Sequence, residues 1–227
     1  MGQLGAKLLN KWLIVAAYAS FLGFAAPAVA SEVRIMDGDT ISIDDIHYRL
    51  HGIDAPEAGQ SCNDRNGATW RCGDEATRYL EELIGDAIPV CDHRGTDDYD
   101  RIISVCMANG LELNRAMVMN GYAWAFRRFS EDYAAEEDEA ALHGLAIWQA
   151  MTQTAWEYRA ARWEVAAQEA PEGCPIKGNI SNNGHIYHAP WSPWYDRTKV
   201  SIERGERWFC SEREALDAGW RAPIWGH

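Results

Sequence analysis

The 227-residue chain carries 34 acidic against 21 basic side chains, a formal charge of −13. That excess excludes a tight, non-specific grip on duplex nucleic acid along a broad basic face, which rests on lysines and arginines neutralising phosphates. Six cysteines without C-x-x-C spacing, and no H-E-x-x-H string, speak against a zinc enzyme.

Residues 1–30 hold Lys7 and Lys11 and no acid, then an apolar run from Trp12 to Phe24, then Ala28-Val29-Ala30 before Ser31. A basic start, a short apolar stretch and a small-residue end describe a secretory signal peptide. The rival is an uncleaved anchor, because Trp12 to Ala30 is 19 mostly apolar residues, close to a bilayer span. The polar Ser31-Glu32 start favours removal, and a periplasmic or secreted location follows. Removal leaves 197 residues and, without the two lysines, a charge of −15. Cys62, Cys72, Cys91, Cys106, Cys174 and Cys210 all lie beyond it, and an even number in an exported chain predicts disulfides. The simplest pairings are local: Cys62–Cys72 closing a loop, Cys91–Cys106 across a hairpin, Cys174–Cys210 stapling the tail.

From 31 to about 129 strand-like and short helical stretches mix. Val33, Ile35, Ile41 and Ile43 recur at even spacing around Asp37-Gly38-Asp39, and Tyr48 to Ile53 reads as another strand. Thr77 to Ile84 is a helix that Gly85 can end. Ile88 to Cys91 and Ile102 to Met107 are strands joined by a polar turn, and Leu113 to Met119 is a short helix. Strands interrupted by short helices fit a small closed barrel with attached helices. From Ser130 to about Gln168 the pattern is helical, with Ser130 as cap and the acid run Glu136 to Glu139 as a solvated face. Ala170-Pro171-Glu172-Gly173 marks a boundary. Beyond it the charge is +1, against −16 for 31–173, and Trp191, Trp194, Trp208 and Trp220 stand among few aliphatics, so a small core there needs a cysteine staple.

Three segments carry chemistry: Asp37-Gly38-Asp39-Thr40, then Arg49 to Glu57, then Tyr99-Asp100-Arg101. Each alone has a plain structural reading, as turn, proline-ended loop or surface charge. Together they supply what phosphodiester hydrolysis needs: hard cationic stabilisation, fixed arginines, and a group that orients or deprotonates water. Asp39 and Asp54 would give two hard oxygens to Ca²⁺, with a backbone carbonyl and waters completing its shell. Arg49 and Arg101 would clamp a phosphate with their planar forks. Glu57 would contact the attacking water.

Val33 to Thr40, Arg49-Leu50-x-Gly52-Ile53-Asp54-Ala55-Pro56-Glu57, Cys72-Gly73-x-x-Ala76, Asp98-Tyr99-x-Arg101, Leu113-Asn114-x-x-Met117-Val118-x-x-Gly121-x-Ala123 and Gly144-Leu145-x-Ile147-Trp148 together resemble the staphylococcal nuclease-like family. The resemblance runs from about Val33 to Trp148. It implies an α+β fold, a five-stranded Greek-key barrel of the oligonucleotide/oligosaccharide-binding type with about three helices, and Ca²⁺-dependent cleavage of single-stranded DNA and RNA. It places calcium-binding aspartates at Asp39 and Asp54, with Asp37 supporting them. Phosphate-binding arginines fall at Arg49 and Arg101, and a catalytic glutamate at Glu57. Thr40, Ala55 and Tyr99 support or line the nucleotide pocket; Ala55 stands where threonine is familiar and only a backbone carbonyl is required. Arg127-Arg128 resemble a basic pair of bacterial relatives, serving either barrel-edge packing or a strand-binding groove. The acidity of this chain departs from the family's basic founder and bears on substrate affinity more than on chemistry.

Cys174-x-Ile176-Lys177-Gly178-Asn179 and Gly205-Glu206-Arg207-Trp208-Phe209-Cys210 resemble the cysteine-containing tail of exported bacterial members. His185 and His188 with the two tail cysteines could form a zinc set, whereas an oxidising compartment favours a disulfide and two ordinary histidines. Its arginines and tryptophans could instead hold single-stranded substrate. The expected organisation is a signal at 1–30, a nuclease-like domain at 31–150, a helical linker at 151–173 and a small disulfide-stapled module at 174–227. The expected function is Ca²⁺-dependent hydrolysis of single-stranded DNA or RNA. The alternative is a non-catalytic barrel binding an oligonucleotide or a protein partner in the cell envelope. No stable protein partner is expected, and no membrane contact once the signal is cleaved.

Overall fold

The computed structural model describes residue 2 and residues 31–224, so the expected signal segment lies, but for residue 2, outside the described residues. Strand β1 (Val33–Asp37) pairs antiparallel with β2 (Thr40–Ile43), and β2 with β3 (Ile46–Leu50). The β2–β3 connection is Asp44-Asp45, both at positive φ (51° and 64°), the two-residue turn whose twist matches its strands. A two-residue β4 (Ile53–Asp54) follows, then the small hairpin β5 (Cys62–Asn63) and β6 (Thr69–Trp70). Helix α1 (Cys72–Ile84) buries Ala76, Leu80 and Ile84, a four-residue spacing that keeps one face inward, and ends at Gly85.

Next come β7 (Val90–Thr96) and β8 (Ile102–Ala108), antiparallel with Cys91 opposite Cys106. β8 also runs parallel to β3, with Arg49 opposite Ile103, and carries the short β9 (Leu111–Glu112). The hydrogen-bonded order is therefore β1-β2-β3-β8-β7. Helix α2 (Leu113–Met119), β10 (Trp124–Ala125, paired with β4) and α3 (Ala134–His143) complete this part. Its core is built on Ile41, Leu50, Ile53, Leu80, Ile84, Leu113 and Met117. Asn114 is buried there. Its Nδ2 donates to the carbonyls of His51 and Ser104, both at 3.0 Å, and its Oδ1 accepts from Cys106 N at 3.0 Å.

The single helical stretch expected from Ser130 is broken. Gly144 takes a left-handed conformation and stops α3, a 3₁₀ turn spans Ala146–Gln149, and α4 (Ala155–Glu169) starts afresh at Thr154. Ser130 caps neither helix; its hydroxyl accepts from Asp132 N. Thr154 and Glu157 form a reciprocal capping box instead. The acid run is not wholly solvated either: Glu137 is buried, accepting from Ala125 N at 2.9 Å and from Arg127 at 2.7 Å.

The C-terminal part is a three-stranded sheet, with β11 (Ile176–Ser181) between β12 (Gly184–His188) and β13 (Arg207–Phe209), followed by α5 (Glu212–Asp217). Its core gathers Ile176, Tyr187, Phe209, Ala215 and Trp220, with Trp163 of α4 packed against it. Three disulfides join Cys62–Cys72, Cys91–Cys106 and Cys174–Cys210. Among the described residues no cysteine is free, so Cys174 and Cys210 bind each other and not a metal. Three disulfides point to a compartment outside the reducing cytoplasm. No helix among the described residues is long and apolar enough to cross a membrane.

Candidate functional site

The turn between β1 and β2 is pressed against two other elements. A Cβ at Gly38 would come within 2.7 Å of the Ala55 side chain and 2.9 Å of Ala76, so only glycine lets Asp37 and Asp39 sit this close to β4 and α1. Asp39 is buried. Its Oδ2 accepts from Ala55 N at 2.8 Å, its Oδ1 from the Thr40 hydroxyl at 3.0 Å, and its own N donates to Asp37 Oδ1 at 3.0 Å.

Arg49, fixed in β3 between β2 and β8, spans two acids: Nη1 donates to Asp39 Oδ1 and Nη2 to Asp54 Oδ1 at 2.9 Å. Asp54 is fully buried. Glu57 follows Pro56, and its backbone is pinned by Gln60, whose N donates to the Glu57 carbonyl at 2.7 Å. α1 starts against that carbonyl; a Cβ at Gly73 would lie 1.8 Å from it. Arg159 of α4 completes the cluster. Its Nη1 donates to Asp54 Oδ1 at 3.1 Å and Glu57 Oε1 at 2.6 Å, and its Nη2 to Asp54 Oδ2 at 2.8 Å.

The sequence-predicted residues therefore fall into two groups. Asp39, Arg49, Asp54 and Glu57 share one network, with Asp37, Thr40 and Ala55 bonded around Asp39. Arg101 stands apart from their hydrogen bonds. It donates through Nε and Nη2 to Asp97 at 2.6 Å and lies over the half-exposed Tyr99 ring at 5.2 Å, although its charge reaches Asp39.

The model of the staphylococcal nuclease homologue family matches residues 47–150, and that of ArfC matches 157–222. A succinoglycan biosynthesis protein, ExoI, of Rhizobium meliloti (strain 1021) is 33% identical over 61% of this chain and 74% of its own length. The chain belongs to the staphylococcal nuclease homologue family. A micrococcal nuclease of Shigella flexneri is 31% identical over 57% of this chain and 79% of its own length. An uncharacterized endonuclease of Haemophilus influenzae is 29% identical over 51% and 64%.

Within this nuclease homologue, Arg49, Asp54, Glu57 and Arg101 lie in the matched segment, while Arg159 lies in the ArfC segment. The network thus takes side chains from both. Sequence reasoning missed Arg159 because no motif marks it; the one local signal is the capping box that starts its helix at Thr154. Two further tail residues reach the same side. Burial raises the pKa of Glu212 of α5, against the hydrogen bond it accepts from Tyr187 Oη at 2.9 Å and the nearby charges of Arg101 and Arg159. Arg213 donates to Asp100 at 2.9 Å and to the Asp98 carbonyl, holding the Arg101 loop. Arg127, one of the basic pair, is committed to Glu137 and Asp138.

Burial pushes Glu57 up to about 8, against the opposing pull of Arg159. Burial also raises Asp39, with Arg49 working the other way. Burial disfavours the charge of Arg49 and Arg159, yet the acids around them hold both guanidiniums charged. Among the described residues no three His, Cys, Asp or Glu side chains converge as a metal-ligand set. The donor chemistry is nevertheless that of a hard cation: two buried aspartates offer oxygens only, and Ca²⁺ takes such ligands with carbonyls and waters filling the rest.

Proposed function

We propose that the protein is a Ca²⁺-dependent nuclease hydrolysing phosphodiester bonds of single-stranded DNA or RNA in the periplasm or outside the cell. The observation that carries this reading is Arg49 spanning Asp39 and Asp54, with Glu57 joined to Asp54 through one further guanidinium. Carboxylates interleaved with arginines suit a phosphodiester. A glycosidase instead needs two carboxyl groups free to face one sugar bond.

Asp39 and Asp54 would hold the Ca²⁺. The cation supplies Lewis-acid stabilisation of charge developing on the phosphate oxygens. Arg49, still bridging Asp39 and Asp54, offers its remaining N–H donors to the phosphate, and Arg101 approaches from the loop that Asp97 and Tyr99 position. Glu57, with its raised pKa, orients the attacking water or takes its proton. Tyr99 lies where a base can stack. The five main strands in the order β1-β2-β3-β8-β7 form the wall of an oligonucleotide-binding-type barrel that presents these groups. We assign 31–150 to this catalytic part and 174–227 to a disulfide-stapled module, with 151–173 connecting them.

The test is digestion of single-stranded DNA by protein lacking residues 1–30, with Ca²⁺ and with chelator. Cleavage should require Ca²⁺ and fall strongly in Arg49→Ala, Glu57→Ala and Arg101→Ala. Oligonucleotide binding with no cleavage in any metal would favour the non-catalytic barrel.

A further inference from the structure

Asp54 is the most buried acid of the site, and its two oxygens are not held alike. Oδ1 accepts from both Arg49 and Arg159; Oδ2 accepts from Arg159 alone. Arg49 is locked in a strand with neighbours on both sides and a second acid to hold. Arg159 arrives from a helix 105 residues away in sequence, and its side chain keeps 24% of its exposure. A cation that takes Oδ2 of Asp54 must take it from Arg159, which has solvent beside it to move into.

Charge does not make the two occupants exclusive. Asp37, Asp39 and Asp54 against Arg49 and Arg159 leave one formal negative charge, and Glu57 adds a second once ionised, so the cluster still attracts a divalent cation with Arg159 in place. We propose that Arg159, supplied by the segment behind the nuclease domain, is an internal counter-ion that competes with the divalent cation for Asp54. This rests on the reading of Asp39 and Asp54 as the cation's ligands. In the free protein Arg159 compensates a buried carboxylate that would otherwise be costly. When the cation enters, the displaced guanidinium stays tethered at the rim, and the site gains a cation threshold.

A merely structural ion pair, docking α4 on β4, predicts that losing Arg159 weakens everything together. Competition predicts opposite signs. Ca²⁺ alone is titrated by calorimetry into the purified protein, without nucleic acid, for the wild type, Arg159→Met, Arg159→Lys and Asp54→Asn. Removing a positive charge a few ångströms from the cation should tighten Ca²⁺ by about tenfold or more. Arg159→Lys should stay nearer the wild type, and Asp54→Asn should lose binding. In chelator, Arg159→Met should melt below the wild type, and added Ca²⁺ should raise its melting temperature by more than it raises the wild type's. If methionine prevents folding, Arg159→Gln, which is neutral but polar, should show the same tightening.

Equal or weaker Ca²⁺ affinity in a folded Arg159→Met or Arg159→Gln protein overturns the competition. If the wild type also cleaves DNA with Ca²⁺, the reading of the site survives that result. No Ca²⁺ binding in any variant, with no cleavage, overturns both.

Discussion

Replacing Arg49 by methionine keeps an apolar stem of similar size but removes the guanidinium between Asp39 and Asp54. Asp54 retains Arg159, whereas Asp39 is left buried with only Ala55 N and the Thr40 hydroxyl. Stripping the partner from a buried charge costs roughly 3–5 kcal/mol. The two surviving donors place Asp39 at the lower end, about 3 kcal/mol by the same measure. For a chain of this size that lowers the melting temperature by roughly 6–12 °C. The loss should depend on pH with a definite sign. Burial already raises Asp39 above its ordinary value, with Arg49 opposing, so removing Arg49 raises it further. A carboxyl raised in the folded state takes up protons that the unfolded state does not, so the mutant loses stability as pH rises. Melting measured in chelator should show a larger gap from wild type at pH 8 than at pH 5. A gap that is absent, or wider at pH 5, would refute the ion pair as the determinant.

Cleavage should rise with pH up to about 8, where Glu57 becomes a carboxylate, and Glu57→Gln should flatten that rise; a wild-type rise complete by pH 5 contradicts the role. Asn114→Ala removes three buried hydrogen bonds that tie β8 to the chain after β3. It should cost about 2–4 kcal/mol in denaturant melts while leaving Ca²⁺ affinity near wild type. Cys174→Ala with Cys210→Ala opens a 36-residue separation and should cost about 2–4 kcal/mol. Proteolysis confined to the C-terminal sheet would report it, and unchanged resistance would count against the staple.

The strands and helices that a two- or four-residue rhythm marks were legible: β1 and β2 from alternating Val33, Ile35, Ile41 and Ile43, and α1 from Leu80 and Ile84. The break at Gly144 was not, because alanine-rich sequence on either side reads as helix until tertiary contacts choose where the chain turns. Asp39, Arg49, Asp54 and Glu57 announce themselves by tight local spacing around glycines and a proline. Arg101 carries the right motif, yet its hydrogen bonds go to Asp97 four residues before it, a local competition that a motif does not display. Arg159 lay beyond reach, since only three-dimensional packing brings α4 back to β4. Glu137 misled for a related reason: one acid of four turns inward to meet Ala125 N and Arg127.

The most direct measurement is the initial rate of cleavage of a short single-stranded oligonucleotide at saturating Ca²⁺, in the wild type and in Asp54→Asn. Wild-type cleavage should stop on chelation, and Asp54→Asn should be slower by at least about a hundredfold. Cleavage that persists in chelator, or that runs at the wild-type rate in Asp54→Asn, would contradict a cation-dependent site built on this carboxylate.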